Sequence, residues 1–302
     1  MDLVALRQRF KVPGLSFDEF SGLTRVHIDT PQATATIFLQ GAHLTAWQPA
    51  GFESAILLSH KSDFAPGKPI RGGIPVAFPW FAADSKKDRI DGHPGPLHGF
   101  ARIQDWALDK AQRTAGGMEL TCSLGPTAIS RSMGYDNFLL TLNFQIGSEL
   151  KLAMTVANTG DKPLSFEQAL HTYYKVADIH ETSVSGLEPT SFIDKNDGFK
   201  VKPAEHEAIR FSKPTDRVYN QTTTSCLVDD KAGARRITVA KSGSKSTIVW
   251  NPFAEMADLG PWDWHEFVAV ETGNVGDDAI TLAPGAHSTM QVHATLAHTA
   301  RA

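Results

Sequence analysis

The sequence lacks the features that would tie it to a membrane, a disulfide scaffold or a polyanion. Its 302 residues include only two cysteines, Cys122 and Cys226, too few for a disulfide framework or a zinc motif of paired cysteines. Every apolar run falls short of the roughly 18 residues that a transmembrane helix needs. Its 29 basic and 33 acidic residues are interspersed, without the basic stripe of nucleic-acid-binding proteins. Composition therefore predicts a globular protein with neither a membrane nor a nucleic-acid partner.

The N-terminal segment also lacks the apolar core of an export signal. Asp2, Arg7, Arg9 and Lys11 occupy the stretch where a signal peptide would be continuously apolar. We therefore expect a cytoplasmic location, and we expect the protein to be a monomer.

Signatures of cofactor and metal enzymes are missing as well. The sequence has no phosphate-binding P-loop, no dinucleotide fingerprint, no nucleophile elbow and no zinc-protease motif. His93 and His98 lie five positions apart, but no cysteine or carboxylate stands beside them at a ligand spacing. We therefore predict no metal and no cofactor.

Short apolar segments separated by turn residues indicate strands. Leu150–Val156 has an apolar residue at every second position, and the turn-forming residues Asn158–Asp161 follow it. Similar runs occur at Ala35–Leu39, Phe138–Gln145, Ile248–Trp250 and Phe267–Val270. Helical patterns are short: one over Leu3–Phe10 and a turn or two over Asn251–Leu259. We predict that residues 1–302 form a single all-β domain, a large and mainly antiparallel β-sandwich with few short helices.

Two segments rich in glycine and proline do not fit a plain sandwich. Pro66–Trp80 contains four prolines and three glycines, and Arg89–Trp106 is similarly irregular. Each contains an arginine beside glycine-rich sequence, Arg71 in the first and Arg102 in the second. The planar guanidinium group suits phosphate or carboxylate oxygens, although either arginine could instead form a structural ion pair. Long loops on a rigid sheet are frequent positions for sites, and these two are the candidates here.

Three further titratable residues stand in strand-like segments. His171 would share a strand face with Glu167 and Tyr173, and its imidazole can exchange a proton near neutral pH. Glu271 ends a buried apolar run, where it would either cap the turn or have a raised pKa through loss of hydration. Asp216 could simply pair with its neighbour Arg217 at the surface. Taken singly, none of them establishes a function.

Taken in order, these segments resemble the glucose-6-phosphate 1-epimerase family of the aldose 1-epimerase superfamily. The resemblance runs from about residue 35 to about residue 290 and rests most firmly on Arg71–Pro75 and His98–Arg102. The supporting segments are Phe78–Trp80, His171–Tyr173, Thr215–Tyr219, Trp250–Pro252 and Val270–Gly273. The resemblance implies a β-sandwich of the galactose mutarotase type, in agreement with the strand pattern.

The resemblance also implies roles for individual residues. His171 corresponds to the family's catalytic acid and Glu271 to its catalytic base. Arg71 and Arg102 correspond to the arginines that bind the sugar phosphate, and Asp216 to a substrate-binding carboxylate. His98 lies inside the matching loop and is expected to line the pocket. Leu97 departs from the pattern, because relatives often have a polar residue there.

The implied reaction is the interconversion of the two anomers of a phosphorylated hexose through the open-chain aldehyde. It requires one acid and one base at the anomeric centre and no cofactor. The small-molecule partner would be a hexose phosphate. Two alternatives stay open: mutarotation of an unphosphorylated aldose, which the change at Leu97 favours, and carbohydrate binding without catalysis on the same fold.

Overall fold

A computed structural model describes residues 2–83 and 95–300, and most of the regular secondary structure within these ranges consists of antiparallel strands. The strands are β1 Leu15–Phe20, β2 Leu23–Asp29, β3 Ala33–Phe38, β4 His43–Pro49, β5 Val76–Ala77, β6 Ala107–Thr114, β7 Gly117–Leu124, β8 Phe138–Gly147, β9 Leu150–Asn158, β10 Leu164–Phe166, β11 Gln168–Leu170, β12 Tyr173–Lys175, β13 Thr182–Ser185, β14 Phe192–Asp194, β15 Lys200–Lys202, β16 Ile209–Arg210, β17 Thr215–Tyr219, β18 Cys226–Asp230, β19 Arg235–Ser242, β20 Ser246–Asn251, β21 Phe267–Asn274, β22 Ile280–Leu282 and β23 His287–His298.

Helices are few and short, as the sequence predicts. The α-helices are α1 Leu3–Arg9 and α2 Ala128–Ser132, and the 3₁₀ helices are Ala101–Ile103, Ile179–Glu181, Lys195–Asp197, Asp263–Glu266 and Gly276–Asp278. α1 confirms the N-terminal pattern, and its first turn is capped by Asp2, which accepts a hydrogen bond from the amide of Ala5 at 2.8 Å. No helix in the described ranges is long and apolar enough to span a bilayer.

The helical turn expected within Asn251–Leu259 is wrong. β20 ends at Asn251, whose side chain donates to the carbonyl oxygens of Trp264 and Phe267 and accepts from the amide of Phe253, each at 2.8 Å. These three hydrogen bonds hold the chain that follows β20 in a non-helical conformation. The first helical turn after it is the 3₁₀ helix that begins at Asp263.

Two large sheets contain most of the strands. The nine-stranded sheet has the order β16-β13-β18-β19-β23-β9-β8-β7-β6. The eight-stranded sheet has the order β15-β14-β17-β20-β21-β11-β5, and β12 also pairs with β21. A four-stranded meander of β1 to β4 and a two-stranded pair of β10 with β22 complete the fold. The predicted all-β, mainly antiparallel sandwich is confirmed.

Alternation of side chains places the main core between these sheets. Along β9, every second residue from Leu150 to Val156 is buried, as the sequence pattern indicates. Val268 and Val270 of β21 belong to this same core, whereas Phe267 and Ala269 pack in a separate cluster on the opposite face of the eight-stranded sheet. All eight residues of β21 are buried, so both faces of this central strand are covered. Period-two alternation therefore puts Glu271 on the face with Phe267 and Ala269, away from the main core.

Candidate active site

The site is centred on a buried pair formed by His171 and Glu271. Glu271 lies on β21, opposite Ile248 of β20, and its side chain is 1% exposed. His171 lies between β11 and β12, where its amide donates to the carbonyl oxygen of Pro75 at 3.0 Å. His171 Nε2 is 3.3 Å from Glu271 Oε1. The continuous strand expected from Glu167 to Tyr173 is therefore interrupted at His171, and this break brings the imidazole to the carboxyl group.

The surroundings of the pair disfavour charge on either member. Burial lowers the pKa of His171 well below its usual value, and the nearby charges of His98, Arg71 and Arg102 lower it further. Burial raises the pKa of Glu271 well above its usual value, and Asp216 adds to that effect. Of the two alternatives that the sequence leaves open for Glu271, a turn cap or a raised pKa, its burial favours the raised pKa. Two such closely coupled groups titrate as a unit, and between its two steps the pair holds one proton.

Aromatic rings line one side of the His171–Glu271 pair. Tyr173 stacks on His171 with ring centroids 4.8 Å apart and planes 10° apart. Trp250 meets both rings edge-on, 5.8 Å from each centroid. Trp250 is partly exposed, so it offers an aromatic surface beside the buried acid–base pair. This combination suits a sugar ring, whose C–H faces pack on aromatic groups while its hydroxyl groups need polar partners.

Arg71 approaches the site from the first glycine-rich loop. Its Nε and Nη2 donate to Asp258 Oδ2 at 2.8 and 2.6 Å, and its Nη1 donates to the Tyr173 hydroxyl at 3.0 Å. Asp258 therefore fixes the orientation of the guanidinium group. Since a guanidinium group has five N–H donors, two remain for a ligand.

Arg102 has a different environment, because no carboxylate of residues 2–83 and 95–300 pairs with it. Its Nη2 donates to the carbonyl oxygen of Leu97 at 2.8 Å, and its Nε is buried with no hydrogen-bond acceptor in the described chain. Burial lowers the pKa of Arg102 to about 10, and the proximity of Arg71 contributes to that lowering. The two arginines expected to bind phosphate thus interact with each other electrostatically. A buried cation without a counterion is a candidate site for an anion.

His98 lies against His171 and is held in one tautomer. Its Nδ1 accepts a hydrogen bond from the amide of Ala82 at 3.1 Å, so that Nε2 carries the proton of the neutral ring. Burial, with the charges of Arg102, Lys195 and Arg71, keeps its pKa well below the usual value. Its ring centroid is 5.4 Å from that of His171. His98 therefore can offer an N–H donor beside the catalytic pair.

Asp216 lies on the site face of β17, and its pairing differs from the sequence-based expectation. Its Oδ2 is 2.8 Å from Lys195 Nζ, whereas Arg217 pairs with Glu205 at 2.7 Å. The expected pair of Asp216 with Arg217 is wrong because successive strand residues point to opposite faces. Asp216 Oδ1 is buried without a hydrogen-bond partner.

The backbone requires glycine in both of the arginine-containing motifs. Gly73 has φ +69°, and a Cβ there would lie 2.4 Å from His43 Nε2. Gly99 has φ +76°, and a Cβ there would lie 1.9 Å from the carbonyl oxygen of Phe78. Glycine lets both loops approach the sheet closely in a conformation that other residues rarely adopt. The part of the second loop at 84–94, including His93, lies outside the described residues.

A group of three residues that could hold a metal ion lies outside this site. Asp178, His180 and His265 bring their ligand atoms within 4.8 Å of one another. They belong to the chain around the 3₁₀ helices Ile179–Glu181 and Asp263–Glu266. His180 Nδ1 and Asp178 Oδ1 contact each other directly at 2.9 Å.

Sequence reasoning missed four residues of the site as individual candidates. Tyr173 and Trp250 stood within matching segments, and their size and alternation could have marked them as a ring-stacking surface. Asp258 had no local signal, because its partner Arg71 is 187 positions away. Lys195 likewise stands in a polar segment typical of an exposed turn.

Comparisons with known proteins identify the family and the fold. The family model described as aldose 1-epimerase matches residues 24–295. A protein of Escherichia coli (strain K12) named "Putative glucose-6-phosphate 1-epimerase" is 33% identical over 282 residues, covering 91% of this chain and 92% of the relative. The crystal structure of a "putative mutarotase (YeaD)" from Salmonella typhimurium has a TM-score of 0.88 at 29% identity, covering 96% and 95% of the two chains. A galactose mutarotase related enzyme from Lactobacillus acidophilus shares the fold, with a TM-score of 0.74 at 14% identity, covering 91% and 98%.

Proposed function

This chain belongs to the aldose 1-epimerase family, and from that membership we propose that it interconverts the α and β anomers of a hexose 6-phosphate, glucose 6-phosphate first among them. The observation that carries the proposal is the close pairing of His171 with Glu271 beside two arginines. One of them, Arg102, has no carboxylate partner in the part of the chain that the structure describes. The name of the Escherichia coli relative points to the same substrate.

In the proposed reaction, Glu271 removes the proton of the anomeric hydroxyl group while His171 protonates the ring oxygen. The bond between the anomeric carbon and the ring oxygen breaks, and an open-chain aldehyde forms. Rotation about the bond to the next carbon exposes the other face of the aldehyde. Ring closure then reverses both proton transfers, so the enzyme returns to its starting state. General acid–base catalysis of this kind contributes roughly 10²–10⁴-fold.

The buried pair carries the number of protons that this cycle requires. With one proton shared between them, the ionised form has a carboxylate and an imidazolium, and the neutral form has a carboxyl group and an imidazole. Ring opening converts the first into the second. Burial favours the neutral form in the empty site, whereas the mechanism begins from a protonated His171. A bound anion must therefore offset the positive charges that oppose imidazolium formation.

The phosphate group would supply that anion. Arg71 has two N–H donors free of protein partners, and Arg102 Nε is buried without an acceptor. Phosphate oxygens would accept hydrogen bonds from these donors. They would also neutralise the positive charges of the two arginines, which lower the pKa of His171. Asp216 Oδ1 and His98 Nε2 would contact hydroxyl groups of the sugar ring. No step of this mechanism requires a metal or redox cofactor.

Magnetisation-transfer NMR tests the proposal directly. Exchange between the anomers of glucose 6-phosphate would be measured with catalytic amounts of wild-type protein, Glu271→Gln and His171→Ala. We expect acceleration by wild type, and a loss of about 10²–10⁴-fold in either variant, with each variant's fold checked by circular dichroism. Full exchange rates in both folded variants would contradict the assignment of this pair.

The two alternatives give different outcomes in the same experiment. Acceleration of free glucose or galactose, but not of glucose 6-phosphate, would identify an aldose mutarotase. Sugar binding without any acceleration would identify a carbohydrate-binding protein. Leu97 does not exclude phosphate recognition, because it holds Arg102 through its backbone carbonyl oxygen rather than its side chain. The cytoplasmic location, the monomeric state and the single domain stay predictions from the sequence.

A further inference from the structure

Lys195 forms an ion pair at the edge of the site that neither the sequence motifs nor the family match assigns. It begins the 3₁₀ helix Lys195–Asp197 directly after β14. Its Nζ lies 2.8 Å from Asp216 Oδ2, and the two side chains are only 20% and 18% exposed. The same ammonium group lies 5.6 Å from the centroid of the Phe81 ring. Lys195 is therefore held in a partly desolvated position over the site.

The register of the sheet brings this ion pair toward Glu271. Asp216 of β17 pairs with Trp250 of β20, and Ile248 of the same strand pairs with Glu271 of β21. Asp216 and Glu271 are therefore two strands apart and diagonally placed, on the same face of the sheet. Asp216 raises the pKa of Glu271, and Lys195 lowers it. The carboxylate and the ammonium group thus act on the same group in opposite directions.

Other titratable and charged groups surround the His171–Glu271 pair. They are His171 between β11 and β12, Tyr173 on β12, Arg71 and His98 on the loops, and Arg102 on the 3₁₀ helix Ala101–Ile103. None of these groups forms the counterion of Asp216. Lys195 alone among the described residues forms an ion pair with it.

We propose that Lys195 is a positioning residue of the active site, which cancels the charge of Asp216 beside Glu271 and so keeps Glu271 able to ionise and accept the substrate's proton. The inference rests on the proposed function, in which Glu271 is the base. The ion pair also orients the Asp216 carboxylate, because Lys195 holds Oδ2. Oδ1 is buried and has no hydrogen-bond partner among the described residues, so it is available to a sugar hydroxyl group.

The pH dependence of kcat/KM for glucose 6-phosphate tests this role, because its acid limb reports the ionisation of the base in the free enzyme. Lys195→Met removes a positive charge near Glu271, so we expect the acid limb to move to higher pH by about one unit. Asp216→Asn removes a negative charge, so the limb should move to lower pH. In the double variant the two effects should largely cancel. If Lys195 had only a structural role, the two single substitutions would not shift the acid limb in opposite directions, and the shifts would not cancel in the double variant.

Two controls separate charge from packing. Lys195→Arg keeps the charge and should leave the limb in place. Lys202→Met removes an exposed lysine that pairs with Asp197, and it should change neither the limb nor the plateau. If Lys195→Met does not fold, the shift in Asp216→Asn and the absence of a shift in Lys195→Arg still test the proposal.

The outcomes also distinguish this inference from the proposed function. An unmoved limb in folded Lys195→Met, or shifts in the same direction in both single variants, would overturn the role of Lys195 while wild-type mutarotase activity stands. Absence of wild-type activity on every hexose phosphate would overturn the proposed function, and with it the role of Lys195 that depends on that function.

Discussion

Replacing Arg102 by methionine should separate stability from activity. Burial lowers the pKa of Arg102 from its usual value above 12 to about 10. At about 1.4 kcal/mol per pKa unit, holding this charge in the empty site costs on the order of 3 kcal/mol. Methionine keeps much of the apolar stem but loses the hydrogen bond to the carbonyl oxygen of Leu97, worth about 1.5 kcal/mol. The free energy of unfolding should therefore rise by about 1–2 kcal/mol.

The same substitution should damage the reaction of a phosphorylated sugar. Losing a charge-assisted contact to phosphate costs about 2–5 kcal/mol, so kcat/KM for glucose 6-phosphate should fall by a factor on the order of 10²–10³. Denaturant unfolding measures the first effect, and anomer exchange by NMR measures the second. Inorganic phosphate should raise the melting temperature of the wild type more than that of Arg102→Met, because it stabilises only a protein that binds it.

Arg236→Met is the matched control. Arg236 pairs with Asp229 at the surface, where the two side chains are 46% and 44% exposed. Its loss should change the free energy of unfolding by less than about 1 kcal/mol and leave activity unchanged. If Arg102→Met lost several kcal/mol of stability and kept full activity on glucose 6-phosphate, Arg102 would be a structural residue and the phosphate-binding reasoning would fail.

Two further substitutions test the frame of the site. Asp263 accepts four hydrogen bonds, which hold its pKa below the usual value against the burial that would raise it. Asp263→Ala should cost about 3 kcal/mol by urea unfolding, against less than about 1 kcal/mol for Asp161→Ala at an exposed position. The stabilisation that ionised Asp263 provides should be complete above about pH 4 and should be lost as the pH falls through the lowered pKa of the folded state. The variant should lack this stabilisation at every pH. Gly99→Ala forces a Cβ within 1.9 Å of the Phe78 carbonyl oxygen and should cost about 3 kcal/mol and most of the activity, against about 1 for Gly51→Ala, which has open space at a similar φ. Equal losses in the two members of either matched pair would contradict these assignments.

The sheets could be predicted from the sequence because their signal is local. Alternation over Leu150–Val156 reflects a strand with one face in the core, and that strand is β9. The pKa of Glu271 could be anticipated in the same way, because a carboxyl group at the end of a buried apolar run loses hydration wherever the run packs. The interruption of the strand at His171 could not, since it depends on a hydrogen bond to Pro75 in a distant loop.

The ion pairs of the site could not be predicted from the sequence for the same reason. Asp216 and Arg217 are neighbours in the chain but point to opposite faces of β17, so their proximity in sequence predicted the wrong pair. Lys195 reaches Asp216 only because β14 and β17 are adjacent strands of one sheet. Such an adjacency is set by the whole topology, and no local pattern encodes it.

The electrostatics of the site favour a substrate that carries its own negative charge. Without an anion, the field of Arg71 and Arg102 opposes protonation of His171, and no described carboxylate pairs with Arg102. A free sugar could pack against Trp250 and contact Asp216, but it would leave both effects in place. A phosphate on the two arginines would accept hydrogen bonds from the buried donors and make the imidazolium less costly at the same time. In the proposed reaction, recognition of the phosphate and activation of the acid would therefore be two consequences of one set of charges, and the arginine loops and the His171–Glu271 pair would form a single site.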